Sequence, residues 1–241
     1  MNGYLYDPHT HTAETSRCGH LPAAEVVDRY VAKGFSGLVV TDHLHPEYLS
    51  RIDTHHSWDA VMDHYLSGYR ASKKRGDEVG FDVILGAELR FPENDNDYLV
   101  YGIDEQWLRS NPYICCMSAR EFYDRYHNQV LIIHAHPYRD GNTTVFEDAV
   151  DGSEIINSNP RHENHSSLAL DLCRRHPGFY RLAGSDTHQA GDEAGAGVIL
   201  QSRVTDSFAY KRMIETRQFR LWSPGFQSFV DADEALRSEG R

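Results

Sequence analysis

The segment YLYDPHTH, residues 4–11, joins a short apolar run to a polar cluster that contains His9 and His11. The same order, an apolar run followed directly by polar side chains, occurs four more times along the chain. The later clusters are TDH (residues 41–43), GAE (86–88), HAHP (134–137) and GSDTH (184–188). The runs before them have the length and composition of buried strands. The pattern indicates that imidazoles and carboxylates gather where strands end, as they would in a metal centre.

Amphipathic patterns typical of helices lie between the predicted strands. The helical segments are residues 22–33, 58–75, 119–127, 163–176 and 208–216, and further strands are expected at 99–101, 154–156, 198–200 and 219–222. Alternating strands and helices predict parallel βαβ units. A barrel brings the carboxyl ends of all its strands to one face, whereas an open doubly wound sheet gathers those near its switch point. We therefore expect an α/β barrel that collects the five clusters at one face.

Three further segments are polar and lack a periodic pattern. Residues 92–97 and 139–144 have the composition of exposed loops, and residues 231–241 that of a polar tail. None of them resembles a linker between domains. Because a chain of 241 residues can bury a full core, we expect a single domain over residues 1–241.

The chain is acidic. It has 24 lysines and arginines against 36 aspartates and glutamates, a formal net charge of −12. This charge disfavours an extended nucleic-acid surface and binding to an anionic membrane. Bound divalent cations would reverse the charge locally, so a small phosphorylated substrate remains compatible with the composition.

The four cysteines, Cys18, Cys115, Cys116 and Cys173, show neither the spacing of a zinc knuckle nor a disulfide framework. This predicts a reducing compartment, the cytoplasm. No apolar run approaches the roughly 18 residues of a membrane span, and the first residues lack the basic region of an export signal. We therefore expect no membrane anchoring, and the sequence does not predict an oligomeric state.

His9 and His11 would point to the same face of a strand, because side chains alternate along a strand with a period of two. Two imidazoles placed in this way can bind one ion. Asp186, at the end of the last predicted strand of the series, has the position of a metal-binding carboxylate. Asp42 would either support a ligand from behind or cap the following helix.

Glu88 ends an apolar strand, where burial of a carboxylate without a cation is costly. A ligand that bridges two metal ions is a natural role for it. Pro137 would stop the strand of the fourth cluster, in which His136 is the stronger ligand candidate. The remaining histidines are too numerous for one site and are expected mostly at the surface, among them His45, His55, His56, His64, His127, His165 and His176.

Taken together, the motifs resemble the PHP (polymerase and histidinol phosphatase) superfamily of metal-dependent phosphoesterases. The matching motifs are DxHxHT at residues 7–12, TDH at 41–43, GxE at 86–88, HP at 136–137 and GSDxH at 184–188. The resemblance implies a distorted (β/α)7 TIM-like barrel. It also implies two or three divalent metal ions, zinc, manganese or iron, at the carboxyl ends of the strands.

The resemblance also implies which residues bind the metals. One ion would be held by His9, His11, Glu88 and Asp186, a second by Glu88 and His136, and a third by His20, His43 and His188. The loop before His20 is longer than usual, which makes Cys18 an alternative. Asp104 stands where the family often has a histidine, and this harder ligand would shift the second site from zinc toward manganese or iron.

The implied reaction is hydrolysis of a phosphomonoester of a small molecule, histidinol-phosphate-like or nucleotide-like, by a metal-bridged hydroxide. Glu88 and Asp186 would act through the metals they bind. Arg161 is the leading candidate to face the phosphate dianion, with Arg17 and Arg139 behind it.

Two other functions are compatible with such a site. A metal-dependent C–N hydrolase would use similar chemistry on a carbonyl, but the sequence has no clear carbamylatable lysine at a strand end. A non-catalytic module stabilised by metals is the second alternative. Closed coordination would favour this module, and an open coordination position would favour catalysis.

Overall fold

The computed structural model describes residues 3–52, 57–142 and 146–239, and two β-sheets within them carry the polar clusters. The first sheet has the order β11 (Phe219–Trp222), β10 (Gly197–Leu200), β1 (Tyr4–Thr10), β2 (Gly37–Val40) and β4 (Asp82–Leu85). The second has the order β3 (His43–Leu44), β5 (Ala87–Arg90), β6 (Asp97–Tyr101), β7 (Leu131–His134), β8 (Gly152–Asn157) and β9 (Tyr180–Gly184). Helices connect many of these strands. The predicted α/β class is confirmed, whereas the closed (β/α)7 barrel stays a prediction.

The helices of the described ranges include every segment predicted to be helical. They are α1 (Ala23–Ala32), α2 (Pro46–Arg51), α3 (Trp58–Tyr65), α4 (Ser67–Val79), α5 (Glu105–Ser110), α6 (Ala119–Tyr126), α7 (Ser166–Arg175), α8 (Ser207–Glu215) and α9 (Gln227–Glu239). The predicted helix 58–75 is divided at Leu66 into α3 and α4. Helices α2 and α5 are too short to show a period in the sequence. Among the described residues, no helix has both the length and the apolar character needed to cross a membrane.

Backbone hydrogen bonds join the two sheets near the polar clusters. On one side, β2 leads into β3 and β4 into β5, and the Glu88 N–H donates to Asp42 O at 3.2 Å. On the other side, the His11 N–H donates to Thr187 O at 3.0 Å, directly after β1 and β9. The first and last clusters are therefore neighbours in space.

Two strands run opposite to the predicted parallel direction. β6 is antiparallel to β5 and β7, and β10 is antiparallel to β1 and β11. A parallel crossover needs a dozen or more residues, and the segment between Arg90 and Asp97 is shorter than that. The amino-terminal end of β6 therefore lies beside the carboxyl ends of its neighbours, which proves important for the site.

Apolar strands form the core beneath the clusters. β2, β4 and β7 are buried at all four of their positions. Helix α1 covers one side of the first sheet, where Val26, Val27 and Tyr30 pack with Leu38 and Phe81. A shift in strand register would move this apolar set out of the core. The strand ends consequently hold their polar side chains in fixed positions.

The segment predicted as a polar tail is largely helix α9, and its last residues, 240–241, lie outside the described residues. Asp233 on this helix is completely buried and forms ion pairs with Arg181 of β9 and Arg237. The Arg237 guanidinium also lies over the ring of Phe219, 4.3 Å from its centroid. Asp233 and Arg237 thus attach the helix to both sheets. Asp233 is buried, although its segment has the composition of an exposed polar tail.

Candidate metal centre

The ligands predicted for the first metal converge at the end of β1. His9 Nε2 lies 3.2 Å from Glu88 Oε1 and 3.3 Å from Asp186 Oδ1. His11 Nε2 lies 3.2 Å from the same Asp186 oxygen and 3.4 Å from Glu88 Oε2. All four side chains are at most 1% exposed. The structure therefore brings together the four residues that the sequence singled out for this ion.

The atoms at the centre of this cluster fit a cation. Among the described residues, His9 Nε2, His11 Nε2, Glu88 Oε2 and both Asp186 carboxylate oxygens are buried without a hydrogen bond. Buried charges and polar atoms are normally paired or bound to a metal, because leaving them unpaired costs several kcal/mol. Imidazole nitrogens and carboxylate oxygens are also the donors that zinc, manganese and iron accept.

A second group lies on the other side of Glu88. His136 Nε2 is 3.2 Å from Glu88 Oε1 and 3.8 Å from Asp97 Oδ2, and the three side chains are buried. Asp97 in turn accepts two hydrogen bonds from Arg90, at 2.9 and 2.7 Å. A carboxylate shared by two such groups has the position of the bridging ligand predicted for Glu88.

The carboxylate that lies beside Glu88 and His136 is that of Asp97, whereas the resemblance pointed to Asp104. Asp104 lies at the far end of β6, where it caps α5 by accepting a hydrogen bond from the Trp107 N–H at 2.6 Å. Because β6 is antiparallel to its neighbours, its first residue, Asp97, faces the cluster instead. Asp97 belongs to the segment predicted as an exposed loop. His45, expected at the surface, is also buried, with Nε2 3.5 Å from Asp97 Oδ1.

A third group consists of His11, His43 and His188, whose ligand nitrogens lie within 4.8 Å of one another. His43 Nδ1 is 2.8 Å from Glu88 Oε2, and its Nε2 is 3.1 Å from Cys18 Sγ. The structure does not bring the predicted ligand His20 into this group. The His20 N–H donates to His188 O at 2.7 Å, but the residue is exposed and belongs to none of the candidate metal groups of the described residues.

Solved structures share the fold of this chain. One of them is a two-domain protein from Bacteroides vulgatus that contains a predicted PHP-like metal-dependent phosphoesterase, with a TM-score of 0.67, 14% identity, and coverage of 91% of this chain and 64% of that one. The chain also matches PsfC from Pseudomonas syringae, with a TM-score of 0.65, 16% identity and 99% coverage of both chains. No protein-family model and no curated protein sequence matches the chain.

A further structural match is an amidohydrolase from Chromobacterium violaceum with bound sulfate and no metal. Its TM-score is 0.54 and its identity 16%, with coverage of 92% of this chain and 99% of that one. Identities this low describe the fold alone. The fold shared with the Bacteroides vulgatus protein agrees with the resemblance drawn from the five motifs, and the sheet order described above explains how the motifs meet.

Opposite charges set the protonation of the side chains in this centre. Burial would raise the pKa of Glu88 and of Asp186, but nearby imidazoles, His9 above all, hold both values well below the usual range. Burial would lower the pKa of His9, but the carboxylates of Asp186, Glu154 and Glu88 raise it well above its usual value. The carboxylates are therefore ionised. A cation that binds here would replace a proton on His9.

Strained backbone is found at two of the ligand candidates. His136 has a φ of 29° and Asp186 a φ of 53°. Positive φ is uncommon for residues other than glycine, although aspartate adopts it more often than most. Such strain persists where the surroundings enforce it, and it clusters at functional sites.

Asp42 supports the centre from behind. Its carboxylate accepts hydrogen bonds from the N–H and hydroxyl of Thr12, at 2.8 and 2.6 Å, and from the Ser16 hydroxyl at 2.7 Å. These contacts fix the loop that follows His11. Of the two roles open from the sequence, the structure favours this support over a helix cap.

Glu154, on β8, was missed by the sequence analysis. It is fully buried, with Oε1 3.1 Å from His9 Nδ1, and Oε2 accepts hydrogen bonds from the His136 N–H at 3.0 Å and the Asn157 amide at 2.9 Å. Because an ionised carboxylate can only accept, it places the proton on Nδ1 of His9 and turns the Nε2 lone pair toward the centre. The signal in the sequence was a charged residue directly before two isoleucines in a predicted strand.

We expect Glu154→Gln to weaken metal binding by roughly 10–100-fold, the effect typical of losing such a support. The glutamine amide could donate to Nδ1 and so favour the other tautomer of His9. Competition with a coloured chelator measures the affinity. Glu78→Gln, on the exposed face of α4, is the matched control and should bind metal like the parent chain; equal affinities for both variants would contradict the positioning role.

An open cleft of about 710 Å³ lies over the centre. Its lining includes the candidate ligands His43, His136, Asp186 and His188, together with the cationic or titratable side chains Arg90, Arg139, Arg161 and His162. The segments predicted as exposed loops, 92–97 and 139–144, form part of this lining, although residues 143 and 144 lie outside the described residues. The cleft therefore places cationic side chains beside the candidate metal groups.

The three arginines considered for phosphate binding differ in position. Arg139 Nη2 is 2.6 Å from Asp186 Oδ2, so this guanidinium directly contacts a metal ligand candidate. Arg161 lines the cleft and pairs with Asp192, with Nη2 3.1 Å from Oδ2. Arg17 is exposed and lines neighbouring depressions outside this cleft.

Proposed function

We propose that this chain is a metal-dependent hydrolase that cleaves phosphate monoesters of small soluble molecules. The observation that carries the proposal is the convergence of buried imidazole and carboxylate atoms, several of them without a hydrogen bond among the described residues, beside an open cleft that arginines also line. A small phosphate ester suits this arrangement, because the arginines of the cleft offer positive charge to a phosphate dianion. The net charge of the whole chain is negative and would otherwise disfavour the binding of an anion.

In this proposal the candidate ligands form two metal-binding positions. His9, His11, Glu88 and Asp186 would hold one divalent ion, and Glu88, Asp97 and His136 a second. Bound divalent ions supply Lewis-acid stabilisation of the phosphoryl oxygens and lower the pKa of a water molecule. Two carboxylates in the second group make it a harder site than one of imidazoles alone, which favours manganese or iron there.

Arg139 and Arg161 would bind and orient the phosphate. Arg139 now contacts Asp186, and its guanidinium would be available to an anionic substrate if that carboxylate held a metal. Arg161 is held by Asp192, whose Oδ2 also accepts hydrogen bonds from the N–H groups of His188 and Gln189, each at 3.2 Å. This network ties the arginine to the last polar cluster.

We also propose that the chain forms a distorted barrel built as a single domain. The hydrogen bonds that join the two sheets on both sides support this architecture. The phosphoesterase named for the Bacteroides vulgatus protein supports the reaction class, since this chain has the same fold over 91% of its length.

Hydrolysis of a C–N bond is the second candidate, and the amidohydrolase from Chromobacterium violaceum favours it. Lysine carbamylation does not fit this cleft. The sequence contains four lysines, Lys33, Lys73, Lys74 and Lys211, and none of them lines the cleft. Phosphate esters therefore remain the first choice.

The test is turnover of a panel of phosphate monoesters, diesters and amides before and after chelation, with zinc, manganese and iron added back. We expect phosphate release that chelation abolishes and one of the metals restores. Chelation should also lower the free energy of unfolding, because a ligand at a hundred times its Kd stabilises the folded state by about 2.7 kcal/mol. Metal binding without turnover of any ester would overturn the proposal, and ammonia release from amides would support the alternative.

A further inference from the structure

The cluster around His43 and His188 contains a sulfur atom that the two metal positions proposed above do not use. Cys18 Sγ lies 3.1 Å from His43 Nε2, and the thiol also forms a hydrogen bond with His188. Cys18 lines the cleft together with both histidines. The third imidazole of the group, that of His11, stacks on both rings, with centroid distances of 4.4 Å to His43 and 4.1 Å to His188.

The Nδ1 atoms of both histidines lie next to oxygen atoms. His43 Nδ1 is 2.8 Å from Glu88 Oε2, and His188 Nδ1 is 2.9 Å from the main-chain oxygen of Asp186. An oxygen acceptor at Nδ1 places the proton there, so Nε2 carries the lone pair that can bind a metal. For His43, that Nε2 atom is the one that contacts Cys18.

His11 belongs to the same group of converging imidazoles, but its Nε2 faces the first metal position, 3.2 Å from Asp186 Oδ1. His43 and His188 therefore remain available to another ion at this place. A sulfur and two imidazoles that lie together in this way form a donor set typical of a soft or borderline divalent cation.

We propose that Cys18, as a thiolate, together with His43 and His188 binds a third metal ion, and that this site selects zinc over manganese. The thiol loses its proton to solvent on binding. A sulfur ligand favours zinc, whereas the two other positions, rich in carboxylates, accept harder ions. His20 contacts this group through its main-chain N–H, which donates to His188 O, and takes no part as a ligand. The inference rests on the metal dependence of the proposed function and does not require turnover.

The test is the absorption spectrum of the full chain after removal of metal and titration with Co²⁺. A sulfur-to-cobalt charge-transfer band in the near ultraviolet is expected in the parent protein. Cys18→Ser should lose this band and one bound ion, with an affinity for that ion at least about 100-fold lower, the upper end for loss of a supporting residue. Cys116→Ser, which removes an exposed cysteine outside the centre, should keep both.

Cys18→His provides the second variant. It should restore the bound ion without the charge-transfer band, which separates the loss of a ligand from misfolding. Titration with Mn²⁺ should fill fewer positions than titration with Zn²⁺ in the parent chain and an equal number in Cys18→Ser. A parent spectrum without the sulfur band, or loss of the ion in His20→Ala instead, would overturn the proposal. These readouts do not depend on hydrolysis, so a failure of the phosphatase assay remains a distinct result.

Discussion

Replacement of Glu88 by glutamine is expected to lower kcat/KM for phosphate ester hydrolysis by roughly a thousandfold or more. Glu88 is the carboxylate shared by the candidate metal groups, within 3.2 Å of His9 Nε2 and His136 Nε2 and 2.8 Å of His43 Nδ1. An amide keeps the shape of the side chain but removes its negative charge. Metal ions supply several kcal/mol of transition-state stabilisation, and about 1.4 kcal/mol corresponds to a tenfold change in rate.

Steady-state kinetics and elemental analysis of the same samples measure this effect. We expect at least one metal ion per chain to be lost along with the activity. Glu215→Gln is the matched control, because Glu215 lies on α8 and pairs with Lys211 outside the cleft. A Glu88→Gln protein that keeps both its metals and its turnover would place the active centre elsewhere.

Replacement of Asp233 by alanine is expected to lower the free energy of unfolding by about 3–5 kcal/mol, the usual result of breaking a buried ion pair from one side. Asp233 is fully buried, and Arg181, which it contacts, is 5% exposed. Without the carboxylate, the Arg181 charge stays in the interior unpaired. For a chain of this size the midpoint of thermal unfolding should fall by roughly 10 °C.

Urea unfolding of the metal-free protein measures the effect of this substitution apart from any contribution of bound ions. Asp231→Ala is the control on the same helix, since Asp231 is exposed and accepts a hydrogen bond from Gln227. A loss no larger for Asp233→Ala than for Asp231→Ala would mean that α9 is not attached through its buried carboxylate.

The repeated pattern of an apolar run followed by polar side chains made most of the centre predictable from the sequence. His9 and His11 alternate along one strand, and Glu88 and Asp186 each follow an apolar run, so parallel topology alone brings them together. Their roles as metal ligands stay predictions, but their positions agree with the pattern. Local sequence patterns sufficed here because each side chain sits within two or three residues of a buried strand.

The direction of each strand and the contacts between distant residues could not be predicted from local sequence patterns. Asp97 reaches the centre because β6 is antiparallel, and no local pattern distinguishes its first residue from Asp104 beyond its last. Glu154 and Asp233 look like surface charges, and their burial depends on partners far along the chain. The loop after His11 places Cys18 Sγ beside His43 Nε2, a contact between residues 25 positions apart that no local pattern indicates.

The candidate ligands extend from His9, close to the beginning of the chain, to His188 beyond β9. Chains are synthesised from the amino terminus, at about 5–20 residues per second. A nascent chain presents His9 and His11 long before Asp186 exists, so the complete centre cannot form until most of this sequence has been made. During its synthesis the nascent chain therefore lacks part of its set of candidate ligands. Binding of the proposed metals at the complete centre would follow translation of the last cluster.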